Sequence, residues 1–168
     1  MNERAAVAEK EAAIAKKEAA DALLALEKLK APRCLNSDQQ MQMVSALRPF
    51  ASTLFDMASQ EADPESLAFL GQLETVLLMA GWTPIDWDNA GKFGFIGHSP
   101  TGRSIGRIQM TVTGVLVHVH PDHPQSLYAA AVALCAALVD SQIDARPTAG
   151  DIDSSRHDAI HVVIAKKP

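Results

Sequence analysis

The run His118-Val119-His120-Pro121-Asp122-His123 has the residue types and spacing of a metal site. Imidazole nitrogens and carboxylate oxygens are donors that divalent transition metals take. On a strand, residues two apart point to one face, so His118 and His120 would stand side by side. Asp122 and His123 would curl back from the following loop and complete a site for zinc or another divalent metal. The implied chemistry is hydrolysis, with metal-bound water as the nucleophile. The same residues admit a structural reading, which is the one adopted: His118 and His161 as hydrogen-bonded core histidines on neighbouring strands, with His120 and His123 solvated in the loop.

The H-x-H-x-D-H pattern resembles the metal-binding signature of metallo-β-lactamase-fold hydrolases. That family implies a larger fold and further ligands from later loops, whereas only His157 and His161 lie downstream here. A second near match, Gly97-His98-Ser99-Pro100-Thr101-Gly102-Arg103-Ser104, looks like a phosphate-binding loop with arginine in place of lysine. Such a loop works where a strand enters and a helix leaves, so that backbone N–H groups cradle phosphate. Ile105-Gly106-Arg107-Ile108 is a poor helix start, so a Gly/Ser loop is expected instead. Gly97-His98-Ser99 also lacks the second glycine of a nucleophile elbow.

The elements that must position these residues repeat one phrase. Phe55-Asp56-Met57 runs through a polar loop into Pro64-Glu65-Ser66-Leu67, and sixty positions later Val115 to Val119 runs into Pro124-Gln125-Ser126-Leu127. Proline suits the first helical turn. Leu67, Leu70, Leu73, Leu77 and Ala80 form one apolar stripe, and Leu127, Ala130, Ala131, Leu134 and Leu138 form the other. Trp82–Trp87 and 143–148 follow as strands, and 105–112 is a further candidate. Residues 115–119 and 159–165 are apolar on both sides, as in central strands covered by helices. The expected class is α/β: a single domain with a four- to five-stranded, mainly parallel sheet built from two β-α-β units. In such sheets ligands gather beyond the carboxyl ends of the strands, here the loops 58–64 and 120–124.

A long N-terminal helix precedes this domain. Residues 2–30 lack Gly and Pro, and Ala5, Ala8, Ala12, Ala15, Ala19, Ala22, Leu26 and Leu29 alternate spacings of three and four, a heptad seam. A homo-oligomer through residues 5–29 is expected. Alanine buries little area, so the seam alone holds weakly. Pro32 ends the helix and divides a stalk, 1–31, from the α/β domain, 32–168. Ser37 reads as the N-cap of the next helix, with Gln40 closing a capping box.

The chain has 168 residues, is 48% apolar and carries a formal charge of −5, which argues against a general electrostatic grip on nucleic acid or an anionic membrane. Cys34 and Cys135 make no metal or redox spacing, which fits a reducing compartment. Pro32-Arg33, Asp63-Pro64-Glu65, Ala80-Gly81-Trp82, Gly114-Val115 and Lys167-Pro168 together resemble an uncharacterised bacterial family. In that family one or two membrane helices, a coiled-coil stalk and a C-terminal α/β domain of unknown function follow one another. The resemblance implies a stalk at 2–30 between membrane and domain; the location expected for the domain itself is cytoplasmic, with an inner-membrane tether if a native upstream segment exists. The leading expectation is a non-enzymatic binding, signalling or scaffold module without a cofactor; the alternative is the metal hydrolase on His118, His120, Asp122 and His123.

Overall fold

The computed structural model describes residues 2–88, 94–109, 111–122, 125–150 and 156–167. The chain divides into two compact units, Met1–Pro32 and Arg33–Pro168. The first is the helix α1 (Asn2–Lys30). The seam residues Ala12, Ala15, Ala19, Ala22 and Leu26 are exposed on it.

The second unit opens with α2 (Ser37–Leu47). Its N-cap is Asn36, one residue earlier than the expected Ser37: Asn36 Oδ1 accepts from the Gln39 N–H, and Gln39 Oε1 accepts from the Asn36 N–H, both at 2.9 Å. Both are capping types, and only Asn36 has its reciprocal partner three residues on. There follow β1 (Leu54–Ser59), α3 (Pro64–Met79), β2 (Thr83–Pro84), β3 (Phe95–His98), β4 (Ser104–Arg107), β5 (Val115–Val119), α4 (Gln125–Asp140), β6 (Ala145–Ala149) and β7 (Ala159–Ile164). Asp63 caps α3 by accepting from the N–H groups of Glu65 and Ser66.

The strands form one seven-stranded sheet in the order β3-β4-β1-β7-β5-β6, with β2 also on β1. Both expected β-α-β units are present: β1 and β2 pair in parallel around α3, and β5 and β6 around α4. The sheet is nevertheless mixed rather than mainly parallel. β7 is parallel to β1 but antiparallel to β5, so the two units run in opposite directions. The loops after β1 and after β5 therefore leave from opposite ends and do not line one pocket. The phosphate-loop look-alike is part of a β-hairpin, β3-β4, and no helix leaves it.

Among the described residues of this unit, the helices α2, α3 and α4 cover one face only, not both. Alternate strand residues point to opposite faces. Phe55, Met57, Val115, Val117, Val119, Ile160, Val162 and Ile164 pack with Leu47, Phe69, Leu73, Leu134 and Leu138 in the main core. The other face carries Ala58, Leu116 and Val163, and among the described residues Trp87, Ile108 and Val112 cover it. The second apolar side of the central strands thus meets a tryptophan and loop residues. At Gly106 on β4 a Cβ would collide with the Trp87 indole, so only glycine leaves the ring its place.

Arg33 pins the start of this unit. Its Nε donates to Glu65 Oε1 and its Nη2 to Oε2, both at 2.9 Å, and Nη1 donates to the Ala165 carbonyl at 2.9 Å. The guanidinium lies 5.6 Å from the centre of the Phe69 ring. Hydrogen bonding by Arg33 holds the Glu65 carboxyl below its ordinary 4.5. A group so depressed stabilises the fold above 4.5, and that contribution is lost as pH falls through the folded value. Arg33→Ala is expected to cost about 1.5–3 kcal/mol at neutral pH, the range for hydrogen bonds to charged groups. Denaturant melts should show the parent and variant converging as pH drops below 4.5. A pH-independent gap would mean that the Glu65 charge has no part in it.

Candidate functional site

The chemistry-bearing residues gather where β5 ends and β7 begins. The antiparallel register pairs His118 with His161, and the parallel register pairs His161 with Asp56. All three side chains therefore lie on the face that carries no helix.

Asp56 and His161 are each 1% exposed. His161 Nε2–H donates to the Arg156 carbonyl at 3.2 Å. Its Nδ1 lies 2.8 and 2.9 Å from the two Asp56 oxygens. One further proton sits in that contact, on the ring or on the carboxyl. Burial pushes the Asp56 carboxyl above its ordinary 3.8, against the hydrogen bond and charge of His161 and the charge of Arg156. The Trp87 ring meets His161 edge-on at 6.0 Å. Its buried Nε1 has no hydrogen-bond partner among the described residues.

His118, expected as a metal ligand in one reading and as a core histidine in the other, is 7% exposed. Its Nε2–H donates to the Gly150 carbonyl at 2.7 Å, and Nδ1 accepts from the Thr148 hydroxyl at 2.9 Å. Both ring nitrogens are therefore engaged by groups outside the loop after β5.

His120 and Asp122 lie in that loop, with the His120 side chain 12% and the Asp122 side chain 84% exposed. His123 lies outside the described residues. The residue that joins His120 and Asp122 is His157, from the turn before β7. One ligand atom from each of the three lies within 4.8 Å of the others. The His120 and His157 rings stack 3.5 Å apart at 7°. No local sequence pattern marks His157 as their companion. It is separated from Asp122 along the chain by α4 and β6, and only the pairing of β7 with β5 brings it back.

Beside these groups a cleft of about 480 Å³ is lined by Pro84, Asp86, Trp87, Asp88, Arg103 and Arg156, among others. Arg103 pairs with Asp86 at 3.3 Å and Arg156 with Asp158 at 3.0 Å. Each arginine is thus paired with an acid, Asp86 within the lining and Asp158 outside it. At the opposite end of the sheet, a wider hollow of about 900 Å³ adjoins the loop after β1, with Gln60, Glu61, Arg107 and Lys166 around it.

Glu74 is a further buried acid, on α3, that the sequence reading does not single out. Its Oε1 accepts from the Ser99 and Thr101 hydroxyls at 2.6 and 2.5 Å, and Oε2 has no partner among the described residues. An acid on the inner stripe of a helix is the available signal. The Cys135 thiol, also interior, is pushed up to about 12 by burial, which leaves it inert as a nucleophile. No helix among the described residues is long and apolar enough to cross a membrane.

No family model, curated protein or solved structure matches the chain.

Proposed function

We propose that the chain is a binding module rather than a catalyst, an α/β domain carried on a helix that self-associates through residues 5–29. The observation that carries this reading is the closure of the buried polar set. Asp56, His161 and His118 spend their hydrogen-bonding atoms on one another, on backbone carbonyls and on Thr148. A general base or nucleophile must reach its substrate. These groups are sealed at 1–7% exposure and serve to fix the sheet.

The helix supports the second half of the reading. Val7, Ile14, Leu23, Leu24 and Leu26 are all 45–63% exposed. A single helix in water gains little from its own backbone, and most helical stability comes from burying an apolar face. Of these, Leu26 lies on the seam, and association along it would bury that leucine together with the exposed alanines, whose small side chains allow close approach. In this reading α1 is the stalk of a cytoplasmic scaffold, and Cys34 and Cys135 are its free thiols.

Light scattering on the whole chain is the test. The parent should form a concentration-dependent oligomer, and glutamate at both Ala15 and Ala22 should return it to a monomer. A monomeric parent, or an oligomer indifferent to the double substitution, would overturn the reading.

A further inference from the structure

We infer that His120, Asp122 and His157 form a site for a divalent transition metal, and that the ion ties the loop after β5 to the turn before β7. The inference is independent of self-association. It begins with the sheet register. β5 and β7 are antiparallel, with Leu116 opposite Val163 and His118 opposite His161. Continued past that last pair in the same register, Asp122 falls across from His157. Directly opposed residues have their Cβ atoms about 4.5–5.5 Å apart, within reach of a shared ion. His120, two residues beyond His118 and just past the end of β5, turns its ring onto His157.

The donor set selects the ion. Two imidazoles and one carboxylate suit zinc and its first-row neighbours, and three protein ligands leave a position for water or a ligand. Magnesium and calcium prefer all-oxygen shells. His120 Nδ1 accepts weakly from the Asp122 N–H at 3.2 Å and lies 3.8 Å from Asp122 Oδ2. That nitrogen therefore carries a lone pair and faces the carboxylate.

The stack shows what binding must change. Stacked rings keep their in-plane lone pairs in two nearly parallel planes 3.5 Å apart, so both cannot aim at one ion. Metal–nitrogen bonds of about 2.0–2.1 Å draw tetrahedral donors to roughly 3.3 Å of one another. Since the donors lie within 4.8 Å of one another, the arms must close by at most about 1.5 Å. His120 is held by burial, whereas Asp122 and His157 are exposed and have room to swing. Metal binding therefore opens the stack by turning His157.

Chelator-stripped protein comprising residues 1–168 is titrated calorimetrically with Zn²⁺ and with Mg²⁺, beside His157→Ala, Asp122→Asn and His98→Ala. One Zn²⁺ per chain and no Mg²⁺ heat are expected. His157→Ala should weaken Zn²⁺ at least tenfold and Asp122→Asn by less, while His98→Ala, an exposed histidine on β3, leaves it unchanged. The first two replace exposed side chains, so unchanged melting curves will show that the fold survives. Absence of Zn²⁺ binding, binding indifferent to His157, or equal losses at His98 and His157 would each overturn the site.

Discussion

Replacing His161 by alanine should cost about 3–5 kcal/mol, because it leaves the buried Asp56 carboxyl without its partner. For a domain of this size, that is a fall of roughly 10–20 °C in Tm. The cost comes from desolvation, since Asp56 and His161 are both 1% exposed and both Asp56 oxygens converge on His161 Nδ1. Asp56→Ala should cost a similar amount. The double replacement by apolar residues of matching volume should recover most of the loss, since a buried pair often does no better than a hydrophobic one. A double-mutant cycle read by denaturant melts checks this. If the two losses simply add, the residues are not energetically coupled. The pH response has a definite sign. A carboxyl raised above 3.8 in the fold contributes fully below that value and loses its contribution as pH climbs through the folded one. Glu65 runs the opposite way, fading in acid.

Trp87→Ala should be comparably severe, about 3–5 kcal/mol for a buried aromatic reduced to a methyl group. Trp87 is 2% exposed and covers the face that has no helix, so its loss would also wet the Asp56–His161 contact. Gly106 provides the discriminating second substitution. Its Cβ would strike the indole, so Gly106→Ala alone should cost about 1–3 kcal/mol through overpacking. In the Trp87→Ala background the obstacle is gone and the same change should be nearly neutral. Equal costs in the two backgrounds would place the strain at Gly106 in the backbone rather than against the ring.

The helical stripes and the duplicated strand-helix phrase are legible in the sequence because each reflects a period that burial enforces locally. Leu70, Leu73 and Leu77, or Leu127, Leu134 and Leu138, fall at the spacings that one buried helix face demands. Strand direction has no such local trace. Nothing in Val115–Val119 says that β7 will lie beside it antiparallel, yet that pairing, with the antiparallel β3-β4 hairpin, makes the sheet mixed, and it brings His157 to His120. The β3-β4 hairpin is hidden by its glycines, which read equally as loop. Asp56 is visible as an acid among Leu54, Phe55, Met57 and Ala58, yet only the register with His161 gives it a partner.

The position of β7 sets the timing of assembly. β7 comes after both β-α-β units along the chain yet lies between them in space, flanked by β1 and β5. During synthesis both β-α-β units leave the ribosome as half-sheets with an open edge, and neither can join the other until residues 159–164 have been made. Until then the nascent chain exposes two unpaired strand edges, the kind of surface that chaperones shield and aggregates recruit.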